Sequence, residues 1–163
     1  MIENCYSIVV LEAYPRQKSQ FIAHCIVSED YCLKYTRREV VAMIMNMNNK
    51  NKNFYEYLGK LFGSRSVESF IHDRIYDDSD KEWYIYYDRG KARAFVSINN
   101  NKIKNVYSEN KGFLVAVLQQ VNREENIIAS IVPKVFIQQY REAGFAVKEH
   151  SVNFVEIRGN EYA

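Results

Sequence analysis

The residues best placed to do chemistry lie between 105 and 121, in the stretch NVYSENKGFLVAVLQQV. A strand-like end is followed by a polar turn, Glu109 to Gly112, and an apolar helix pattern begins directly afterwards. Backbone amides at a helix N-terminus carry partial positive charge and favour phosphate binding. Gly112 would let a ligand approach the backbone closely. The other interpretation is a plain strand-to-helix turn, and these residues alone leave both open.

Other residue types give little support for a metal or nucleic-acid site. The three cysteines are odd in number and lack metal-like spacing, and the three histidines are scattered, so we predict reduced thiols and no metal site. A net charge of +2 is too small to argue for a nucleic-acid partner, and we do not expect one. Residues 37–76 hold seven basic and four acidic residues, which could touch nucleic acid or an acidic partner but are more typical of a solvated helix surface.

The composition is that of an ordinary globular protein. Of 163 residues, 47% are hydrophobic and 26% are charged, and this length favours one domain with a sizeable core. No run approaches the roughly 18 consecutive apolar residues of a membrane helix. The first five residues lack the features of a signal peptide. We therefore expect a cytoplasmic protein without a membrane segment.

The first half of the chain predicts one strand followed by several helices. A β-branched run predicts a strand within 5–14, whereas 16–35 fits a buried strand or a helix, and we favour the helix. Thr36 and Glu39 form a capping box, which predicts a helix continuing through Ile44 and Met47. The remaining predictions are a loop at 46–53, helices at 54–62 and around 67–75, and an acidic surface loop at 77–82.

The second half predicts strands and helices in a regular order. The expected elements are strands at 83–88, 91–98 and 103–108, a helix at 112–123, a strand at 127–132, a helix at 134–143, and strands at 145–150 and 152–159. The first three strands form an antiparallel meander. A strand-helix-strand crossover makes 103–108 and 127–132 parallel. The predicted fold class is α+β, with a mixed, mostly antiparallel sheet flanked by helices. We expect one domain over 1–163, in which 16–76 is an enlarged helical N-terminal part.

This order of elements resembles the GNAT-type N-acetyltransferase family. YSENKGFLVAVLQQV (107–121) is similar to the family's loop and helix that bind the pyrophosphate of acetyl-CoA. QQYREAGFAVKEH (138–150) is similar to its C-terminal LYEKLGF signature and the strand that follows. The likeness covers most of the chain, best from residue 83 onward. It implies a GNAT-like acyl-CoA N-acyltransferase fold in which strand 103–108 splays from strand 127–132.

The resemblance also implies an activity, the transfer of an acetyl group from acetyl-CoA to an amine of a small molecule or protein. It implies these cofactor-binding residues: Val106, Tyr107, Ser108, Lys111, Gly112, Phe113 and Leu114. Tyr140 stands where the family keeps a tyrosine that can protonate the departing thiolate, although packing on an amphipathic helix explains this residue equally well. The acceptor amine must lose a proton, and four groups near strand ends are candidate bases: Glu82, Asp88, Glu149 and His150.

Four positions depart from the family's pattern. Glu109 stands where the family has Gln or Arg, Leu114 replaces a small residue, Pro133 replaces an asparagine and Phe136 replaces another small residue. A carboxylate repels a pyrophosphate, and a leucine can crowd its approach. The departures leave open a second function, a catalytically inactive GNAT-like domain that binds a protein or nucleic-acid partner. The oligomeric state is open as well, with a homodimer as one option.

Overall fold

The computed structural model describes residues 7–9, 24–26, 42–78 and 80–159. Its strands are β1 (Ser7–Val9), β2 (His24–Ile26), β3 (Ala42–Met47), β4 (Glu82–Asp88), β5 (Lys91–Asn99), β6 (Lys102–Ser108), β7 (Ser130–Pro133), β8 (Ala146–Glu149) and β9 (Phe154–Arg158). Its helices are α1 (Phe54–Leu58), α2 (Arg65–Ile71), α3 (Lys111–Glu124) and α4 (Ile137–Glu142), and a 3₁₀ turn, Lys134–Phe136, precedes α4.

The larger sheet is an antiparallel meander in the order β3-β4-β5-β6. The turns between its last three strands contain residues with positive φ, Arg89-Gly90 in the first and Asn100-Asn101 in the second. Such backbone suits tight hairpin connections, because it matches the twist of the flanking strands. The predicted meander of 83–88, 91–98 and 103–108 is confirmed, with strand bounds shifted by one residue at most.

The two faces of this sheet are covered by different helices. Tyr86 on β4 stacks on Phe113 of α3, with ring centroids 4.5 Å apart. On the opposite face, fully buried Trp83 packs against Phe54 of α1 and against Phe95. Burying large aromatic side chains on both faces accounts for much of the stabilising apolar area. The meander is therefore the rigid layer on which the other elements rest.

A second, smaller sheet has the order β7-β9-β8 and is also antiparallel. It meets the larger sheet where β6 and β7 begin. The Ile128 N–H donates to the Asn101 carbonyl at 2.9 Å, and the Ile103 N–H donates to Ser130 Oγ at 3.0 Å. The constant offset between these partners shows that β6 and β7 run parallel, as predicted. No hydrogen-bonded ladder links β6 to β7, so the predicted single sheet is corrected to three sheets among the described residues, the third being the β1-β2 pair.

Two predictions in the first half of the chain are wrong. Residues 42–47, expected at the end of a helix, form β3, which pairs with β4 over its full length from Ala42–Asp88 to Met47–Trp83. Residues 24–26, expected as helix, form β2 and pair with β1. Short apolar runs fit the hydrophobic spacing of a helix and that of a strand. Pairing with a neighbouring strand decides which of the two forms. The 16–76 part is therefore not uniformly helical, and the capping box at 36–39 lies outside the described residues.

The segment 77–82, predicted as a surface loop, contains a buried cation. Lys81 is 5% exposed, and its Nζ donates to the Tyr76 carbonyl at 2.7 Å and to Asn105 Oδ1 at 3.2 Å. The same Nζ lies 3.1 Å from Asp78 Oδ2. A buried ammonium needs such partners, because desolvation without them is costly. This network fastens the segment after α2 to β6, and Glu82 already belongs to β4.

The described residues confirm the predicted fold class, α+β with mostly antiparallel sheets flanked by helices. The predicted helix at 134–143 is a 3₁₀ turn followed by α4, and it ends at Gly144 as expected. Gly144 has a φ of 89°, and the Phe145 N–H donates to the Tyr140 carbonyl at 3.0 Å. This left-handed glycine with its back-bond is a common way for a helix to end.

Candidate functional site

The turn between β6 and α3 begins at Glu109, which contacts Arg93 on β5 at two points. The Glu109 N–H donates to the Arg93 carbonyl at 2.9 Å, and the Arg93 guanidinium donates to Glu109 Oε2 at 2.7 Å. The sequence predicted a carboxylate that repels phosphate at this position. In the structure that carboxylate is paired with a cation, which reduces the expected repulsion.

The rest of the turn is held by local hydrogen bonds. Asn110 is the N-cap of α3, and its side chain accepts from the Gly112 N–H at 2.9 Å. Ser108 Oγ donates to the Asn110 carbonyl at 2.5 Å and accepts from the Asn110 N–H at 3.2 Å. Asparagine is among the best N-cap residues. Its position directly before the helix pattern was the signal that would have predicted this role, which our sequence analysis did not assign.

Two amides in the first turn of α3 remain available. Within the described part of the chain, the N–H groups of Lys111 and Phe113 have no protein hydrogen-bond acceptor, whereas the Leu114 N–H donates to the Asn110 carbonyl at 3.4 Å. The start of a 14-residue helix concentrates partial positive charge at these groups. The predicted phosphate-binding position therefore has two free donors beside the capped amide of Gly112.

Gly112 has no steric reason to be glycine within the protein. It lies in ordinary helical backbone, and a Cβ at this position would meet only Asn110 Oδ1 within 4 Å, at 3.4 Å. Gly59 shows the contrast, because a Cβ there would lie 2.4 Å from the Tyr55 carbonyl oxygen. Glycine is unfavourable in a helix relative to alanine. Gly112 is exposed, and the open space beside it leaves room for a ligand to approach the backbone.

The side chains of the neighbouring predicted residues have different surroundings. Leu114 is completely buried in the core, so it does not stand in front of the free amides, and the predicted crowding does not arise. Phe113 is half-buried on Tyr86, and Lys111 is exposed. Lys111 thus places an exposed positive charge in the first turn of α3, whereas Leu114 anchors this turn in the core.

The register of β6 determines which backbone groups face β7. The Glu109 N–H bond to Arg93 and the Phe95–Tyr107 pairing show that alternate residues of β6 bond to β5. The intervening residues, Val106 and Ser108, therefore direct their N–H and C=O groups toward β7, with which β6 shares no hydrogen-bonded ladder. Val106 has no exposed surface and Ser108 is 5% exposed, so this edge is enclosed rather than open to water.

Tyr140 is held on α4, beside α3. The two helices are linked by the Asn122 side-chain amide, which donates to the Ala143 carbonyl at 3.2 Å. Tyr140 is completely buried, and its hydroxyl finds no hydrogen-bond partner among the described residues. Burial raises the pKa of Tyr140 well above its ordinary value, so the phenol stays protonated at neutral pH. An unsatisfied buried hydroxyl costs about 1–3 kcal/mol. This hydroxyl is a proton donor that lacks an acceptor.

The four candidate bases are all near the surface. Glu82 accepts a hydrogen bond from the Asn46 side chain, and Glu149 pairs with Lys134 at 3.0 Å. Asp88 lies 3.9 Å from the Arg89 guanidinium, and His150 is exposed. None of these positions distinguishes a group that removes a proton from an amine. The structure therefore does not single out one of the four predicted candidates for the general base.

Phe136 and the basic region both have ordinary structural surroundings. Phe136, where the family has a small residue, is buried and packs edge-on against Phe70 at 5.8 Å, so it fills space between α2 and the 3₁₀ turn. The described part of the basic region, 42–76, holds five basic and three acidic residues, and Asp77 and Asp78 follow directly. An excess of two positive charges is too small to favour a nucleic-acid interface over the solvated surface. Arg37 and Arg38 lie outside the described residues.

Comparisons with known proteins give structural neighbours only. No protein-family model matches the chain, and no curated protein matches it. Among solved structures, it is similar to the Campylobacter jejuni N-acetyltransferase PseH in complex with acetyl coenzyme A, with a TM-score of 0.46 and 12% identity over 75% of this chain and 100% of that one. A second structure of PseH has the same TM-score and identity, and the match covers 75% and 99% of the two chains.

Membrane-spanning helices and metal clusters are both absent from the described part of the chain. No helix there is long and apolar enough to cross a membrane. No group of three or more His, Cys, Asp or Glu side chains there is arranged to hold a metal ion.

Proposed function

We propose that this protein is a GNAT-like acetyltransferase that moves an acetyl group from acetyl-CoA to an amine of a small molecule or a protein. One observation carries the proposal: β6, which shares no hydrogen-bonded ladder with β7, presents the backbone groups of Val106 and Ser108 on its β7 side and leads directly to the free amides of α3. The backbone of β6 and the N-terminus of α3 thus follow each other directly along the chain. An extended ligand with an anionic end fits this arrangement.

Acetyl-CoA matches the chemistry of these residues. The amides of Lys111 and Phe113 would hold the pyrophosphate, and Gly112 leaves room for it. The backbone groups of Val106 and Ser108 would pair with the amides of the pantetheine arm, while Tyr107 and Leu114 would hold the strand end and the helix start in place. When bound, acetyl-CoA supplies an acetyl group that is already activated as a thioester.

Tyr140 would act as the proton donor. Its phenol is protonated at neutral pH, and burial raises its pKa further above the ordinary value by disfavouring the phenolate. Its hydroxyl lacks an acceptor in the described residues, so a ligand atom that accepts its hydrogen bond would remove an existing cost. A positioned acid of this kind contributes typically 10²–10⁴-fold to a rate. Within this proposal the protein is cytoplasmic, where its cysteines would stay reduced.

A thermal-shift titration with acetyl-CoA and CoA tests the proposal. Binding to the folded state alone stabilises it by about 2.7 kcal/mol at a hundredfold excess over the dissociation constant. For a chain of this length the melting temperature should rise by roughly 5–11 °C. No shift with millimolar ligand would reject the acetyltransferase function.

A second candidate is the catalytically inactive GNAT-like domain that binds a protein or nucleic-acid partner. The observation that favours it is the enclosure of Val106, since a ligand reaches that backbone only if β6 and β7 move apart. In addition, Asn110 already occupies the amide of Gly112. This alternative predicts no thermal shift with either ligand, and a partner search with the folded protein would then follow.

A further inference from the structure

Arg93 occupies an unusual position in the larger sheet. The register between β4 and β5 shifts between Tyr86, which pairs with Ala94, and Tyr87, which pairs with Ala92. Arg93 is therefore the extra residue of a β-bulge. Bulges re-aim side chains and often lie beside functional sites. This bulge lies next to the turn that starts α3, because β6 ends beside it.

Arg93 holds Glu109 with its backbone and its side chain together. The carbonyl of Arg93 accepts the Glu109 N–H at 2.9 Å, and its guanidinium lies 2.7 Å from the Glu109 carboxylate. On its other side, the guanidinium Nε lies 4.0 Å from Asp88 Oδ2. Arg93 is 26% exposed and Glu109 is 42% exposed, so the pair is only partly screened by water.

The charge of Glu109 matters because of its position. It lies two residues before Lys111, at most about 7 Å along the chain from one of the free amides. An unpaired carboxylate there would repel any phosphate at the start of α3, and it would also be free to draw the turn toward solvent. The Arg93 guanidinium removes the first effect, and the two-point contact removes the second.

We propose that Arg93 is the positioning residue of the phosphate-binding turn: it neutralises Glu109 and fixes the turn 109–112 so that an anion can bind the α3 amides. This inference rests on the proposed function for the identity of the ligand. It goes beyond it by assigning a role to a residue on another strand, and it explains how the site tolerates a carboxylate.

Four variants test this role: Arg93→Gln, Glu109→Gln, the double variant, and Arg89→Gln as the matched control. Arg89→Gln removes the same positive charge at a position four residues before Arg93. Arg89 is 78% exposed, however, and it pairs with Asp88 rather than with Glu109. The probes are CoA and inorganic pyrophosphate, each titrated by calorimetry at two salt concentrations. Melting temperatures of the free variants report whether each one folds.

We expect Arg93→Gln to weaken binding of both probes about fivefold, because it leaves an unpaired negative charge near the phosphates. Glu109→Gln should bind at least as tightly as the parent protein, and the double variant should return to within about twofold of it. Arg89→Gln should change either affinity by less than about twofold. Recovery in the double variant separates charge compensation from a simple loss of structure.

Other outcomes overturn the inference. The first is a double variant that binds the probes as weakly as Arg93→Gln does. The second is an Arg93→Gln variant whose affinities equal those of Arg89→Gln. If the parent protein still binds CoA, the proposed function survives both outcomes. If pyrophosphate binds with the expected Arg93 dependence but CoA does not bind, the positioning role stands and the acetyltransferase function falls. If the parent protein binds neither probe, the positioning role is wrong.

Discussion

Replacing Gly112 by alanine should stabilise the free protein while weakening ligand binding. Gly112 lies in helical backbone, and an added methyl group would meet only the Asn110 side-chain oxygen, at an ordinary 3.4 Å. Alanine is favoured over glycine in helices by up to about 1 kcal/mol. For a chain of this length, that gain raises the melting temperature by roughly 2–4 °C. The same methyl group would occupy the space between the two free amides, which the proposed ligand needs.

The loss of binding can be estimated as well. A tenfold weaker affinity costs about 1.4 kcal/mol. At a CoA concentration one hundredfold above the parent protein's dissociation constant, ligand stabilisation should then fall from about 2.7 to about 1.4 kcal/mol. The assay is one pair of melting curves for each protein, with and without CoA. We expect a higher melting temperature without CoA and about half the shift with CoA.

Gly59→Ala is the matched control for this experiment. A Cβ at Gly59 would lie 2.4 Å from the Tyr55 carbonyl oxygen, so this variant should lower the melting temperature without reducing the CoA-induced shift. A full CoA shift in Gly112→Ala would refute the assignment of Gly112 to the ligand. A lower melting temperature of the free Gly112→Ala protein would refute the description of the helix start.

Three further substitutions have defined outcomes. Tyr140→Phe removes a buried hydroxyl that lacks a partner among the described residues, so chemical denaturation should show stability unchanged or raised by up to about 1 kcal/mol, while acetyl transfer falls at least tenfold; activity within threefold of the parent would contradict the acid role. Asn110→Ala removes the N-cap and should cost about 1 kcal/mol in a urea titration, whereas Asn110→Asp, which keeps a capping oxygen, should retain most of that stability; equal losses would contradict the capping role. Lys81→Met breaks a buried network and should cost about 2 kcal/mol, against no change beyond about 0.5 kcal/mol for exposed Lys50→Met; equal effects would contradict the burial of Lys81.

Local sequence signals predicted the second half of the fold well. The strands of the meander are separated by Arg89-Gly90 and Asn100-Asn101, so their type and pairing follow from neighbouring residues. β3 was missed for the opposite reason. Its run AMIMNM has apolar residues at both helical and strand spacing, and pairing with β4, about 40 residues away, determines its conformation.

In the candidate site, too, the features set by neighbouring residues were predicted and those set by distant contacts were not. The turn 109–112 and the free amides of α3 follow from a short stretch of sequence, and the sequence predicted them. Arg93 was not found in this way, because its contact with Glu109 depends on the exact register between β5 and β6, which places the two residues opposite each other next to the Ala94–Ser108 pair. The surroundings of Tyr140 were not predicted either. Its spacing predicts a position on a helix, but it predicts neither complete burial nor a hydroxyl without a partner among the described residues.

The junction of β6 and β7 has a mechanical consequence. Hydrogen bonds of Asn101 with Ile128 and of Ile103 with Ser130 join the two sheets where β6 and β7 begin. If the two strands opened, they would rotate about this junction. Val106 lies three residues beyond Ile103, a distance of roughly 10 Å at the usual rise of a strand. Opening the sheets by an angle of about 20° would therefore widen the gap at Val106 by about 3.5 Å, close to the thickness of a methylene chain. In the proposed function, binding of a ligand along β6 therefore requires this opening, and the free amides of α3 would lie at its wider end.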